Sequence, residues 1–155
     1  MHFFSSPLAL HATCTLNNKQ IVGIALSARS KPGVSLEVVG EDPNGSLEKQ
    51  ISEWITCYIR KEPAKQALPL LWPPMGSFTR RALEIVQEIS FGSTLTYGEI
   101  ARLLGKPKSA RAIGNACGAN PFLLCIPCHR VVGAGNKLGG FRAGLEIKSQ
   151  LLAHE

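Results

Sequence analysis

The densest run of reactive side chains in this chain is Leu124-Cys125-Ile126-Pro127-Cys128-His129-Arg130-Val131-Val132. A free thiol titrates near ~8.5 and needs a base or a positive field to act as a thiolate at neutral pH. His129 and Arg130, directly after Cys128, supply one of each, which is the equipment of a nucleophilic cysteine. Two other chemistries use the same atoms. Cys125 and Cys128 form a C-x-x-C pair with proline before the second cysteine, as in redox motifs, although such pairs normally sit where a strand meets a helix. Here the flanks, Leu123-Leu124 and Val131-Val132-Gly133, read as extended chain on both sides. Cys117, Cys125, Cys128 and His129 could also hold a metal, but structural zinc sites favour two spaced pairs and Cys117 has no close partner. A purely structural, buried role suits Cys117 and Cys125. It suits Cys128 poorly, set as it is among Pro127, His129 and Arg130.

The elements that must position this segment divide into two kinds. Residues 8–40 carry short β-type runs, Ile21 to Leu26 and Val34 to Val39, separated by turn residues at Asn17-Asn18 and Lys31-Pro32-Gly33, which predicts a hairpin or small sheet. Leu47, Ile51, Trp54, Ile55 and Tyr58 recur at helical spacing over residues 47–60. Residues 63–75 read as strand and loop, and the boundary falls near Pro73-Pro74-Met75-Gly76. Beyond it the pattern is helical. Ser77 can cap a helix carrying Phe78, Ala82, Ile85, Val86 and Ile89, ended by Phe91-Gly92. Thr96 and Glu99 fit a capping box for a helix with Ile100, Leu103 and Leu104 that stops at Gly105. Ser109 can cap the next, with Ile113, Ala116 and Cys117 buried. Two short helices joined through a glycine are a helix-turn-helix candidate. On the second, Arg111, Asn115 and Gly118 share one face at i, i+4, i+7. Its other residues are mostly Ala and Gly, so the helix can approach another surface closely with Arg111 projecting; tight core packing would use the same small residues.

Composition sets outer bounds. The 155 residues are 45% hydrophobic and 18% charged, an ordinary globular balance that suits one domain or two small ones. No apolar run reaches the roughly 20 residues of a membrane-spanning helix. The first twelve residues lack Lys and Arg and are broken by Ser5, Ser6 and Pro7, a poor signal peptide. Five cysteines, an odd number, argue against a disulfide framework, and the reading is an intracellular, cytoplasmic protein. Charge is uneven. Residues 1–77 hold seven Lys/Arg against six Asp/Glu, and residues 78–155 hold ten against five. Between Tyr97 and Arg142, seven basic residues face Glu99 alone. On charge alone this is a solvated basic surface; with the helix pair beside it, it reads as the footprint of a polyanion binder.

Pro127-Cys128-His129-Arg130-Val131 resembles the active-site signature of the methylated-DNA–protein-cysteine methyltransferases, the O6-alkylguanine-DNA alkyltransferases. The similarity runs from about Ser77 to Glu155. It takes in Ser77-Phe78-Thr79-Arg80, Tyr97-Gly98-Glu99-Ile100-Ala101, Pro107 to Gly114, Gly118-Ala119-Asn120-Pro121 and the Leu151 to Glu155 segment. Residues 1–76 match weakly, in the place of the family's variable N-terminal domain.

The resemblance implies an α+β protein: a small N-terminal domain of sheet plus helix over 1–76, then a mainly helical domain with a helix-turn-helix over 77–155. It implies a single, irreversible transfer of a methyl or larger alkyl group from O6 of guanine in double-stranded DNA, with O4-alkylthymine a further substrate candidate. Cys128 would attack the alkyl carbon, and His129 would take the thiol proton through a water. Glu155 would orient and charge-stabilise His129. Asn120 would order the turn before Cys128. Tyr97 would donate to the purine and crowd the target phosphate. Arg111 would fill the space left by the flipped nucleotide, with Thr79 and Lys106 among the DNA contacts. Phe141 and Arg130 would line the substrate pocket. No cofactor, no metal and a monomer are expected. Two relatives stay open as alternatives, a lesion-binding alkyltransferase-like protein without transfer and a regulatory DNA-binding protein.

Overall fold

Alternation of apolar and polar residues builds the first half of the chain. The computed structural model describes residues 2–155, apart from the side chains of Phe3 and Phe4. Strands β1 (His2–Phe4), β2 (Ala9–Asn17), β3 (Gln20–Ala28) and β4 (Gly33–Val39) form one sheet in the order β1-β4-β2-β3. β2 and β3 are an antiparallel hairpin, turned at Asn18 and Lys19, both at positive φ. β2 runs parallel to β4, pairing Leu10 with Val34 and Ala12 with Leu36. One face buries Leu10, Ala12, Cys14, Leu16, Val34 and Leu36, every second residue as the pleat requires.

Helix α1 (Ser46–Arg60) buries Leu47, Ile51, Ile55 and Tyr58. Its first free N–H groups are held by Asp42, whose Oδ2 accepts from Leu47 N at 2.9 Å and Glu48 N at 2.8 Å, a carboxylate at the positive end of the helix. Residues 69–71 then lie along β3, with Ile21 N donating to Pro69 O and Leu71 N to Ile21 O. In the stretch expected as strand and loop, the strand-like pairing among the described residues is the Ile21–Leu70 bridge.

By its contacts the chain divides into two compact units, residues 1–73 and 74–155. In the second, α2 (Ser77–Gln87), α3 (Tyr97–Leu103) and α4 (Ala110–Gly118) pack on one another through Leu83, Val86, Ile100, Ala101, Ile113 and Ala116. Thr96 and Glu99 close the expected capping box, with Glu99 N donating to Thr96 Oγ1 at 3.2 Å and Thr96 N to Glu99 Oε2 at 2.7 Å. These bonds hold the Glu99 carboxyl below its usual range. α3 ends with Gly105 at φ +70°, Gly105 N donating to Arg102 O and Lys106 N to Ala101 O. That paired closure needs a residue at positive φ, which glycine adopts without strain.

Five expectations need correction. Gly76, not Ser77, occupies the cap of α2, and Ser109, though at the cap of α4, makes no side-chain capping bond. α2 ends at Gln87, ahead of Phe91-Gly92. Leu103 is 64% exposed; in a seven-residue helix Ile100 and Ala101 take the inner face. The chain before Cys128 is turn, not extended, with Leu124 at φ +73°.

A two-residue parallel pair does the positioning. β5 (Leu95–Thr96), just before α3, pairs with β6 (Val131–Val132), just after Cys128. It fixes Tyr97 beside the reactive segment although 31 positions separate the two in sequence. Helix α5 (Leu145–His154) closes the unit, burying Ile147, Lys148, Leu151 and His154. No described helix is long and apolar enough to cross a membrane.

Candidate active site

The turn that presents Cys128 is built from its own side chains. Asn120 is fully buried. Its Oδ1 accepts from Phe122 N at 2.9 Å, and its Nδ2 donates to Ile126 O at 2.8 Å and to Cys128 Sγ at 3.1 Å. Pro127, at φ −80° and ψ +63°, sits at the centre of an inverse γ-turn, and Cys128 N donates to Ile126 O at 2.8 Å across it. Residues Cys128–Arg130 follow as a single 3-10 turn. Proline is therefore a conformational requirement: its fixed φ suits the γ-turn, and its missing N–H is not needed there.

The three residues of that turn point different ways. Cys128, 3% exposed, lines the wall of a cleft of about 710 Å³. His129 is wholly buried, its Nε2 2.8 Å from Glu155 Oε1. Arg130 reaches the same carboxylate, with Nε 2.8 Å from Oε2 and Nη2 3.0 Å from Oε1, while Nη1 donates to Ile89 O at 2.5 Å. Gly92 N adds a fourth donor to Glu155, at 3.2 Å. The Arg130 guanidinium also lies 5.6 Å from the Phe91 ring centroid. Arg130 was expected in the substrate pocket and is not there. A buried carboxylate needs a partner, and Arg130 is committed to Glu155.

The electrostatics agree with a resting, uncharged pair. Burial pushes the Cys128 thiol above its usual value, opposed by the Asn120 hydrogen bond and by the charges of Lys148 and Arg142. Burial also holds His129 below its usual value, against the pull of Glu155. With Nε2 bonded to Glu155, His129 Nδ1 has no protein partner among the described residues, which leaves it as the nitrogen able to receive a proton.

The cleft takes Tyr97 from α3, Arg111 and Cys117 from α4, Cys128, and Phe141 and Arg142 from the loop before α5. Phe141 meets His129 edge-on, with centroids 6.3 Å apart. Tyr97 Oη donates to Gly140 O at 3.4 Å, and burial raises the phenol. Gly139, at φ +63°, lies so near this ring that a Cβ there would stand 2.9 Å from Tyr97. Arg111, Asn115 and Gly118 share the exposed face of α4 that borders the cleft, as their spacing predicts. Thr79 on α2 and the exposed Lys106 lie outside it.

Two members escaped the sequence reading. Lys148 is fully buried, donating from Nζ to Val131 O at 2.6 Å and to Gly140 O at 3.2 Å, and burial lowers its ammonium. It ties the strand after Cys128 to the loop over the cleft. Its one sequence signal is its place between Ile147 and Leu151 on the inner stripe of α5. Arg142 donates from Nη1 to Asn120 O at 3.2 Å; only its charge marked it. Burial pushes the Cys117 thiol up to about 12, and the Cys14 thiol is raised alike. Cys125 and Cys128 are both free thiols, and no cluster of His, Cys, Asp or Glu suited to a metal occurs among the described residues.

A buried thiol at a cleft wall, followed in the chain by a His–Glu–Arg network and bordered by the helix that carries Arg111, can be compared with known proteins. The family model of the 6-O-methylguanine DNA methyltransferase DNA binding domain matches residues 77–155. A methylated-DNA–protein-cysteine methyltransferase of Methanosarcina acetivorans is 46% identical over 112 residues, covering 72% of this chain and 71% of that protein. The mouse methylated-DNA–protein-cysteine methyltransferase is 41% identical over 128 residues, 77% of this chain and 60% of its own length. The chain thus spans about 60% of the mouse and Saccharomyces cerevisiae relatives. Among solved structures, Mycobacterium tuberculosis OGT in complex with DNA superposes with a TM-score of 0.72 at 25% identity, over 92% of this chain and 91% of that one. On the match of residues 77–155, which contain the whole cleft and the turn of Cys128, the chain belongs to the 6-O-methylguanine DNA methyltransferase family.

Proposed function

We propose that this protein repairs alkylated duplex DNA by moving the alkyl group from O6 of guanine onto Cys128, once per molecule. The observation that carries the reading is the buried Cys128 thiol on the cleft wall, held by Asn120 and followed directly by the His129–Glu155–Arg130 chain. His129 Nδ1 takes the thiol proton through a water. The sulfur attacks the alkyl carbon in line, the carbon–O6 bond breaks with its electron pair going to O6, and Tyr97 donates toward the purine as that charge develops. The guanine anion so formed takes up the proton held by His129, so the base departs as neutral guanine and His129 returns to its neutral form. The product thioether is a poor leaving group, so Cys128 is not regenerated.

O6 lies inside the duplex, so the base must be turned out into the cleft. We assign residues 77–155 as the DNA-binding and transfer domain and residues 1–76 as a separate N-terminal domain. Within the former, α3 and α4 form the helix-turn-helix, and α4 lies against the minor groove with its small residues. Arg111 occupies the vacated stack. Arg102, Lys106 and Lys108, all exposed, contact phosphates with Thr79, so affinity is salt-dependent and indifferent to sequence. The protein acts as a monomer inside the cell, where thiols stay reduced.

The test is the intact mass of the protein after mixing with a duplex containing O6-methylguanine, followed by peptide mapping. One added methylene on Cys128, saturating at one per protein, supports the proposal. Tight binding with no mass gain makes the protein a lesion-binding relative, and neither binding nor gain overturns the proposal altogether.

A further inference from the structure

We infer that Arg142 adapts the cleft to O6-substituents that carry a carboxylate, of which O6-carboxymethylguanine is the smallest; this rests on the transfer reading above. Arg130 follows the nucleophile by two residues and Arg142 lines its cleft, and they are used in opposite ways. Arg130 spends its guanidinium on Glu155 and Ile89 O. Arg142 is exposed, lines the cleft, and among the described residues forms no ion pair. Its hydrogen bond from Nη1 to Asn120 O at 3.2 Å leaves most of the five guanidinium N–H donors open. That bond also locates the charge. The Asn120 side chain touches Cys128 Sγ at 3.1 Å, so the guanidinium is anchored to the residue that orders the sulfur.

None of the described residues lining the cleft is Asp or Glu, whereas Arg111 and Arg142 both line it. A methyl substituent has no use for this charge. A carboxymethyl group does, because its carboxylate lies one bond beyond the carbon that the thiolate attacks. Two anions then approach each other at the cleft wall, and a neutral wall would leave their repulsion uncompensated. A guanidinium fork accepts a carboxylate through two parallel bonds and offsets that repulsion. The loop that carries it is itself fixed, since Lys148 Nζ and Tyr97 Oη both donate to Gly140 O. In the reaction the Sγ–CH2 bond forms and the CH2–O6 bond breaks with its electron pair going to oxygen. The thiol proton ends on guanine, leaving S-carboxymethylcysteine at position 128.

The experiment compares single-turnover transfer from duplexes bearing O6-carboxymethylguanine and its neutral isostere O6-carbamoylmethylguanine, in wild type, Arg142→Gln and Arg142→Lys. O6-methylguanine serves as the reference for transfer itself. The readout is the carboxymethyl-to-carbamoylmethyl rate ratio, in which losses common to both substrates cancel. Arg142→Gln is expected to lower the ratio about tenfold or more, the scale of a charge-assisted hydrogen bond, and Arg142→Lys to restore part of it. Methyl transfer with an unchanged ratio in Arg142→Gln overturns this inference alone. Absence of transfer from all three substrates in wild type overturns the transfer reading and this inference with it.

Discussion

His129 Nε2 lies 2.8 Å from Glu155 Oε1, with the two side chains 0% and 2% exposed. A neutral imidazole bonded on that nitrogen presents Nδ1 as its basic atom, and Glu155 stabilises the imidazolium once it forms. His129→Ala is expected to slow transfer by about 10²–10⁴-fold, the usual contribution of a positioned general base. The check is the rate at which alkylated protein accumulates with O6-methylguanine duplex in excess; an unchanged rate would remove His129 from the mechanism.

Burial makes His129 a pH-dependent element of stability. Its pKa in the fold lies below the ordinary 6.5, so as pH falls through that value the unfolded chain takes up a proton that the folded chain refuses. The stability associated with a neutral His129 is therefore complete above pH 6.5 and declines as the pH drops below it. Urea unfolding midpoints between pH 7.5 and 5 should fall more for wild type than for His129→Gln. Parallel curves would mean that the fold leaves the imidazole pKa at its unfolded value.

Arg130 supplies two of the donors to Glu155 and sits 8% exposed. Arg130→Met leaves a buried carboxylate without its countercharge, which should cost about 3–5 kcal/mol of unfolding free energy. The loss should shrink in the Arg130→Met/Glu155→Gln double variant, where no unpaired charge remains. Equal losses in both variants would show that packing against Phe91, not the ion pair, carries the effect.

Asn120 makes three buried hydrogen bonds, and one of them ends on the sulfur. Asn120→Ala should destabilise the protein by about 2–4 kcal/mol through the unsatisfied groups left behind. It should also shift the pH profile of Cys128 alkylation by iodoacetamide upward, because the bond that favours the thiolate is lost. A stability loss with no shift in that profile would make Asn120 purely structural.

Arg111 lies on the exposed face of α4 at the mouth of the cleft. If it fills the space of the flipped nucleotide, Arg111→Ala slows repair in duplex DNA by about tenfold or more. That figure corresponds to an unstacking cost of a few kcal/mol left partly uncompensated. Reaction with free O6-alkylguanine base should be affected much less. Equal losses on both substrates would place Arg111 in the chemistry and not in flipping.

Much of this protein was determined by its sequence alone, wherever the interactions are local. The capping box of Thr96 and Glu99 closes within three residues, so composition at two positions suffices. The exposed line of Arg111, Asn115 and Gly118 follows from helical spacing, and the β2–β3 hairpin from two alternating runs around a tight turn. The Cys128-His129-Arg130 motif made the chemistry legible through its resemblance to a family.

What the tertiary structure decided is where each of those side chains points. Arg130 lies two residues after Cys128, yet a 3-10 turn rotates consecutive residues by about 120°, which sends Arg130 to Glu155 and leaves the cleft to Arg111 and Arg142. Nothing in the sequence sets Lys148 apart from the other lysines; the fold places it against Val131 O and Gly140 O. Helical position alone cannot reveal a buried lysine, because its partners are backbone carbonyls brought near only by packing. The same holds for β5 and β6, two residues each, too short for any periodicity, which nevertheless set Tyr97 beside Cys128.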